Sequence, residues 1–296
     1  MVLKTINPIQ LSGETPFNLY EDIVKNKKDK NTLYGISNSE GKVEYSSLYK
    51  RVKEKYLEYD SLLPSSLANL VVESFNIEEK KLLTSCYTKP TKALIRLKEN
   101  IINSQNYRFK KKCAYCGIGE ISSMDHYAPK NKFPELSVHP LNLIPCCTIC
   151  NSKKLEFFTL DSKLIFFNPY FDLEIKSLKM ILTRENGSKM FFPKIEIINH
   201  KYDEHIARLD IIKRYESSSI EILTDILNDL SISFKEWVTE NEYPVTNFLN
   251  IQNKIFSKKL IKLNNEKGIN SIEALIYEAL LVLISSDKDF FLNILK

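Results

Sequence analysis

The stretch CAYCGIGEISSMDHYAPKNKFPELSVHPLNLIPCCTICNSKK, from Cys113 to Lys154, decides the fold of the middle of this chain. It contains five of the six cysteines, and four of these five form two Cys-x2-Cys pairs. This spacing lets each pair bind one side of a tetrahedral zinc ion. The predicted ligands are Cys113, Cys116, Cys147 and Cys150. We therefore predict a closed structural zinc site, which has no open position for catalysis.

Polar residues between and beside the cysteine pairs indicate more than a zinc ribbon. Asp125 and His126 lie in an extended, strand-like segment, and Asn142 begins a second short strand that leads into the second pair. Asn151 follows directly and should lie on the first turn of a helix. A zinc ion would tie the two strands to that helix. We therefore expect Asp125, His126 and Asn151 to converge on one point.

Length and composition are those of an ordinary soluble protein. The 296 residues, 43% hydrophobic and 27% charged, exceed the usual ~100–200 residues of one domain, so more than one unit is expected. We find no signal-peptide pattern and no apolar run of the ~18 residues that a membrane span needs. These features predict a cytoplasmic protein without a membrane segment, in which clustered cysteines hold metal. Cys86 and Cys146, outside the pairs, are predicted to be buried packing residues.

The positive charge of the chain is concentrated around the cysteine pairs. The formal net charge is +5, and residues 106–154 contain eight lysines and arginines against three acidic residues. This local excess equals the excess of the whole chain, so the remainder is neutral on balance. A concentrated basic stretch indicates an anionic partner such as nucleic acid.

The regions on both sides of this stretch are predicted to be mostly helical. In residues 1–105, Val52, Tyr56 and Tyr59 recur at the spacing of one helix face. We find no catalytic constellation there and predict a packing and partner-contact region.

Residues 173–296 should begin with a β-hairpin, because two strand-like runs flank residues 185–188, which contain Asn-Gly. Helices follow from about Tyr202. Gly268 should end a long helix, and Asn270 with Glu273 resembles a capping box for the next one. The predicted fold is mainly α with a small α+β insert, divided into residues 1–105, 106–172 and 173–296.

The ordered set of motifs resembles the HNH endonucleases, whose nuclease module has the ββα-metal fold. The matching pattern is Cys-x2-Cys, Asp-His-x2-Pro-Lys, Asn-Leu-x-Pro and Cys-x2-Cys-Asn-x2-Lys, and it covers residues 113–154. Asn151 occupies the last motif position, where family members have His or Asn. The resemblance implies a metal-dependent enzyme that cuts DNA and leaves 5′-phosphate and 3′-hydroxyl ends.

The same resemblance implies a role for each motif residue. His126 would be the general base, Asp125 and Asn151 would bind one Mg²⁺ or Mn²⁺, and Asn142 would be a structural, orienting residue. Basic side chains near the motif would neutralise phosphates of the nucleic acid. These are Lys110, Lys111, Lys112, Lys130, Lys153 and Lys154.

A wider resemblance extends over residues 106–172. His126-Tyr127-x-Pro129-Lys130 and Phe133-Pro134-Glu135, followed by NPYFD, are similar to a subgroup of HNH proteins found beside an ATPase in bacterial anti-phage defence. The nuclease subunit of Septu-type systems belongs to that subgroup. This resemblance implies a defence role and an ATPase partner.

Two other functions are compatible with the same residues. One is a zinc-stabilised nucleic-acid-binding module without cleavage, and the other is an HNH-type ribonuclease. The joint presence of Asp125, His126 and Asn151 favours an enzyme, because a module that only binds needs none of them.

Overall fold

The computed structural model describes residues 6–11, 13–106, 110–184, 191–240 and 245–295. The described chain is mostly helical, with four small two-stranded antiparallel sheets. It divides into an N-terminal unit, residues 6–115 with 119–172, and a C-terminal unit, residues 116–118 with 173–295. The prediction of a mainly α chain with a small β-containing insert is confirmed. The predicted division into residues 1–105, 106–172 and 173–296 stays a prediction.

The first part of the N-terminal unit is helical because its helices have strong start signals and apolar stripes. The side chains of Thr15, Ser46, Asn76 and Thr91 each accept a hydrogen bond from a backbone N–H of the first turn that follows. Val52, Tyr56 and Tyr59 are buried along one face, as predicted. The helices are α1 (Pro16–Val24), α2 (Lys30–Leu33), α3 (Ser47–Leu62), α4 (Ile77–Thr88) and α5 (Lys92–Asn103), and strands β1 (Gly35–Ser37) and β2 (Val43–Tyr45) form a hairpin between α2 and α3.

The predicted insert consists of two strands followed by a helix. Strand β3 (Ser123–His126) pairs antiparallel with β4 (Leu143–Cys146), in a register that places Ser123 opposite Cys146 and His126 opposite Leu143. Helix α6 (Thr148–Lys154) follows at once. Short 3₁₀ turns at Pro134–Leu136 and Pro140–Asn142 shape the connection between the strands. A small hairpin, β5 (Thr159–Leu160) and β6 (Lys163–Leu164), follows α6.

The C-terminal unit starts with the predicted β-hairpin. Strand β7 (Leu178–Thr183) pairs with β8 (Phe192–Ile197), which confirms the antiparallel pairing, while the predicted turn at residues 185–188 lies outside the described residues. Helices complete the unit. They are α7 (Asp203–Arg208), α8 (Ile211–Glu240), α9 (Val245–Lys267), α10 (Ile272–Ser286) and α11 (Lys288–Leu295). No helix of the described chain is long and apolar enough to cross a membrane.

The end of α9 agrees with the sequence, but the start of α10 does not. Gly268 follows α9 with a φ of +95°, a conformation that glycine adopts at little cost. The residue that caps α10 is Ser271, whose side chain accepts from the N–H of Ala274. The predicted cap, Asn270, instead uses its Oδ1 to accept from the backbone N–H groups of Ser177 and Leu178. The capping-box prediction was wrong because a long-range contact occupies this side chain.

Candidate metal centre and catalytic cavity

The four predicted zinc ligands form one buried cluster. The Sγ atoms of Cys113, Cys116, Cys147 and Cys150 all lie within 4.8 Å of one another, and none is in a disulfide. A tetrahedral zinc with Zn–S bonds of about 2.3 Å separates its sulfur ligands by roughly 3.8 Å. The cluster therefore fits a four-thiolate zinc site, and the prediction that these four cysteines come together is confirmed.

Local backbone geometry brings the two pairs together. The N–H of Cys113 donates to the carbonyl oxygen of Gly119 at 2.8 Å, which closes the loop around the first pair. A side chain at Gly119 would clash, because a Cβ there would lie 2.7 Å from Cβ and 2.9 Å from Sγ of Cys147. In the second pair, Cys147 caps the start of α6, and its Sγ accepts from the N–H of Cys150. A glycine at position 119 therefore allows the pairs to approach.

Cys116 receives two further contacts within the C-terminal unit, to which it belongs. The guanidinium Nη2 of Arg214 lies 3.2 Å from its Sγ, and the hydroxyl of Tyr215 donates to its carbonyl oxygen at 3.1 Å. A cation beside a thiolate stabilises the deprotonated ligand, and such outer contacts orient the ligands of metal sites. Neither Arg214 nor Tyr215 was singled out from the sequence.

The predicted catalytic residues line one cavity of about 320 Å³ in the N-terminal unit. Asp125 and His126 are the last two residues of β3, and Asn151 lies in α6. Lys130 lines the same cavity. The β3–β4–α6 arrangement thus brings Asn151 to Asp125 and His126, which precede it by 26 and 25 residues in the sequence.

Asp125 is held by two buried partners. Its Oδ2 accepts a hydrogen bond from the hydroxyl of Tyr115 at 2.7 Å and lies 3.1 Å from Nζ of Lys154. Asp125 is only 4% exposed, and this burial raises the pKa of its carboxyl group, while the charge of Lys154 and the hydrogen bonds from Tyr115 and Lys154 act in the opposite direction. The ion pair with Lys154 stabilises the ionised form of Asp125 in surroundings that exclude water.

The hydrogen bond of His126 defines which ring nitrogen is basic. Nε2 lies 2.9 Å from the carbonyl oxygen of Ser137, and because a carbonyl only accepts, Nε2 must carry the proton. The lone pair of the neutral ring is therefore on Nδ1. Burial lowers the pKa of His126 to about 3, and the charges of Lys130, Lys154 and Lys98 lower it further, against the hydrogen bond to Ser137. The imidazole is neutral at pH 7.

The two motif asparagines have different environments. Asn142 is fully buried, where its Oδ1 accepts from the N–H of Ala128 at 2.7 Å and its Nδ2 donates to the carbonyl oxygens of Ala128 and Leu136. These bonds hold the segment that follows His126 against the 3₁₀ turn before β4. Asn151 is half-buried at the cavity, and its Nδ2 donates to Oγ of Ser123 at 2.8 Å. Its Oδ1 has no hydrogen-bond partner in the described part of the chain.

Lys154 is not where its predicted role requires it. It was expected to neutralise a phosphate, but its side chain is 0% exposed, and Nζ donates to the carbonyl oxygen of His126 at 2.9 Å besides pairing with Asp125. The amine of Lys154 is therefore buried and occupied by Asp125 and His126. Lys130 lines the cavity, whereas four of the other lysines do not. These are Lys110, Lys111, Lys112 and Lys153.

Several residues that contact the cavity-lining side chains, or their partners, carry no signal in the sequence. Tyr115 lies inside the first cysteine pair and resembles a core aromatic, and Ser137 contributes only its backbone. Tyr87 of α4 packs edge-on against His126, with ring centroids 4.4 Å apart, and Lys98 of α5 places Nζ 3.8 Å from the centroid of Tyr87. Motif spacing could not identify Tyr87 and Lys98, because they lie 39 and 28 residues before His126 in a helical region.

Comparison with known proteins finds one weak relative. The chain is 26% identical over 199 residues to protein ea31 of Escherichia phage lambda, in an alignment that spans 62% of this chain and 64% of that protein. The match thus covers less than two thirds of the length of that relative. No known protein family matches the chain, and no solved structure matches it.

Proposed function

We propose that this protein is a metal-dependent HNH endonuclease that hydrolyses phosphodiester bonds of DNA. The observation that carries the proposal is the convergence of Asp125, His126 and Asn151 on one cavity, beside a cysteine cluster that fits zinc. A carboxylate, a neutral imidazole and an amide oxygen supply the cation ligands and the general base that phosphodiester hydrolysis requires.

His126 is the general base in this proposal. Its Nδ1 accepts a proton from the attacking water, while the bond from Nε2 to Ser137 keeps the ring oriented. Burial holds the imidazole neutral before substrate binds. A bound phosphate would raise the pKa of His126, because negative charge favours the protonated ring, and this brings the base closer to its working range.

Asp125 and Asn151 are the proposed ligands of a divalent cation. Their oxygen atoms suit Mg²⁺ or Mn²⁺ with water as the remaining ligands. Tyr115 and Lys154 both bind Oδ2 of Asp125, so Oδ1 is the proposed ligand atom. When bound, the cation would contact the scissile phosphate and stabilise the departing 3′ oxygen.

The wider resemblance supports a role in anti-phage defence beside an ATPase. Two alternatives from the sequence also remain: an HNH-type ribonuclease, and a zinc-stabilised module that binds nucleic acid without cutting it. The orientation of His126 by Ser137 favours an enzyme over a binding module, since a binding surface does not need a buried base with a defined tautomer.

The test is a cleavage assay on supercoiled plasmid and on single-stranded RNA, with Mg²⁺, Mn²⁺ or EDTA. We expect nicking or linearisation of the plasmid, which EDTA abolishes and His126→Ala lowers by about 10²-fold or more, the usual contribution of a general base. His200→Ala is the matched control, because His200 is exposed and bonds Asp203 in the C-terminal unit.

Zinc content is measured on every sample, so that loss of the structural ion is separated from loss of the base. Equal cutting by His126→Ala and the wild type would refute the role of His126. Binding of DNA without cutting, in either cation, would favour the binding module, and cutting of RNA alone would favour the ribonuclease.

A further inference from the structure

Two lysines from separate parts of the N-terminal unit direct their amines at one aromatic ring. Nζ of Lys98, in α5, lies 3.8 Å from the ring centroid of Tyr87, and Nζ of Lys130 lies 5.2 Å from the same centroid. The ring is fixed, because the Tyr87 hydroxyl donates to the carbonyl oxygen of Met124 in β3 at 3.0 Å. The negative face of an aromatic ring attracts cations, and both amines lie within 5.2 Å of the centre of the Tyr87 ring.

Neither amine forms an ion pair with a described residue, although Asp125 and Glu156 line the same cavity as Lys130. Among the described residues, no carboxylate lies within 4 Å of either amine. Both side chains are half-buried, and burial, followed by the charge of Lys130, lowers the pKa of Lys98. Electrostatic repulsion between like charges is unfavourable in a partly desolvated site. An anion bound by both amines would offset this repulsion.

Lys98 and Lys130 lie close to the candidate catalytic cavity. Lys130 lines the cavity together with Asp125, His126 and Asn151, and the Tyr87 ring packs edge-on against His126. An anion held by the two lysines would therefore lie close to the site at which a scissile phosphate has to bind.

We propose that Lys98 and Lys130, gathered by Tyr87, form a phosphate-binding site for the nucleic-acid backbone beside the candidate catalytic cavity. This inference rests on the proposed function and deepens it. The site contacts phosphate and carries no base-reading group, so it contributes affinity without sequence preference. It also gives α4 and α5 a direct part in substrate binding, in a region where the sequence indicates packing and partner contact.

The test is Lys98→Gln, compared with Lys98→Arg and with the control Lys92→Gln. Lys92 begins the same helix and is exposed. Binding of a fluorescent DNA duplex is measured by anisotropy over a range of salt concentrations, without added Mg²⁺ or Mn²⁺. We expect Lys98→Gln to weaken binding by about 3- to 10-fold at low salt and to reduce the slope of log K against log salt by about 1. Lys98→Arg should retain most of the affinity, and Lys92→Gln should match the wild type.

A cleavage assay on the same variants supplies a second readout. Because the site binds a phosphate and does not act on the reacting atoms, Lys98→Gln should raise KM more than it lowers kcat. If the wild type binds and cuts DNA but Lys98→Gln matches Lys92→Gln in affinity and salt slope, the phosphate site is refuted and the nuclease assignment stands. If the wild type neither binds nor cuts nucleic acid, both proposals fail.

Discussion

The cysteine cluster and the candidate catalytic cavity share the β3–β4–α6 segment but are built in different ways. The cluster uses four identical ligands that come from two short motifs. The cavity uses Asp125, His126 and Asn151, and two of these depend on partners outside their own motif positions, such as Tyr115 for Asp125 and Ser137 for His126. The cluster is therefore a product of local spacing, whereas the cavity is a product of packing.

This difference indicates which substitutions should disrupt each site. A closed metal site depends on its ligands and on the space around them. A buried polar site depends on every group that compensates its charges, because an unpaired buried charge is costly. Substitutions that remove ligands, compensating charges, space or titrating groups should therefore affect the two sites to different extents.

The largest effect is expected from loss of a zinc ligand. Cys113→Ser should lower zinc content and the free energy of unfolding together, by on the order of 5 kcal/mol, because metal-binding energy is folding energy in such sites. Metal analysis and thermal unfolding measure both. Cys86→Ser, a change of the same type at a buried cysteine outside the cluster, should retain zinc and cost about 1–3 kcal/mol. Full zinc occupancy in Cys113→Ser would contradict the four-cysteine site.

A strong effect confined to the cavity is expected from Lys154→Met. It removes the cation that pairs with the buried carboxylate of Asp125, which should cost about 3–5 kcal/mol in urea unfolding while zinc content is unchanged. The control Lys153→Met changes an exposed neighbour in α6 and should alter stability by no more than about 0.5 kcal/mol. Equal stability of the two variants would show that the Lys154–Asp125 pair has no net role.

A smaller effect on the cluster is expected from Gly119→Ala. The new methyl group would overlap Cys147, so the loop around the first pair has to move, at a cost of about 2–3 kcal/mol and with weaker retention of zinc against a chelator. Gly41→Ala is the control, because it has a φ of +77° but open space around it. It should cost about 1 kcal/mol and leave zinc retention unchanged. If Gly119→Ala retained zinc as well as the wild type, the two cysteine pairs would tolerate a wider separation.

The smallest effect is expected from Glu135→Gln, and it should depend on pH. Burial, opposed by Lys55 and assisted by the charges of Glu73 and Glu58, raises the pKa of Glu135 from its ordinary 4.5 to about 7. The unfolded chain therefore loses this proton first, and the contribution of Glu135 to wild-type stability should fall as pH rises from about 4.5 to 7 and then stay level.

In Glu135→Gln this fall should be absent, and the variant should be about 1–2 kcal/mol more stable than the wild type at pH 8. A raised pKa corresponds to ~1.4 kcal/mol of lost stability per pKa unit. The variant should recover only part of this free energy, because the buried amide of Gln still needs hydrogen bonds. Urea unfolding at pH 5 and pH 8 measures the difference. Parallel pH curves for the two proteins would refute the raised pKa.

Much of the architecture was predictable from local patterns. The apolar stripe of α3 and the pairing of β7 with β8 depend on periodicity that neighbouring residues impose. The cap of α10 was misplaced by one residue because Asn270 bonds the backbone at Ser177 and Leu178, 93 and 92 residues away. The burial of Lys154 was missed for a related reason: a lysine in a basic run looks exposed until its partner is known.

The sequence by itself determined which four cysteines form the cluster. Four thiolates at two short spacings can chelate a tetrahedral ion wherever the connecting chain closes, so the cluster could be identified from the positions of the cysteines alone. Only the tertiary structure decided which charges meet. It turned Lys154 inward to Asp125 and brought Tyr87 and Lys98 to His126 and Lys130. The physical reason is that burial and pairing of a charge depend on all the groups packed around it, and most of those groups are distant in the chain.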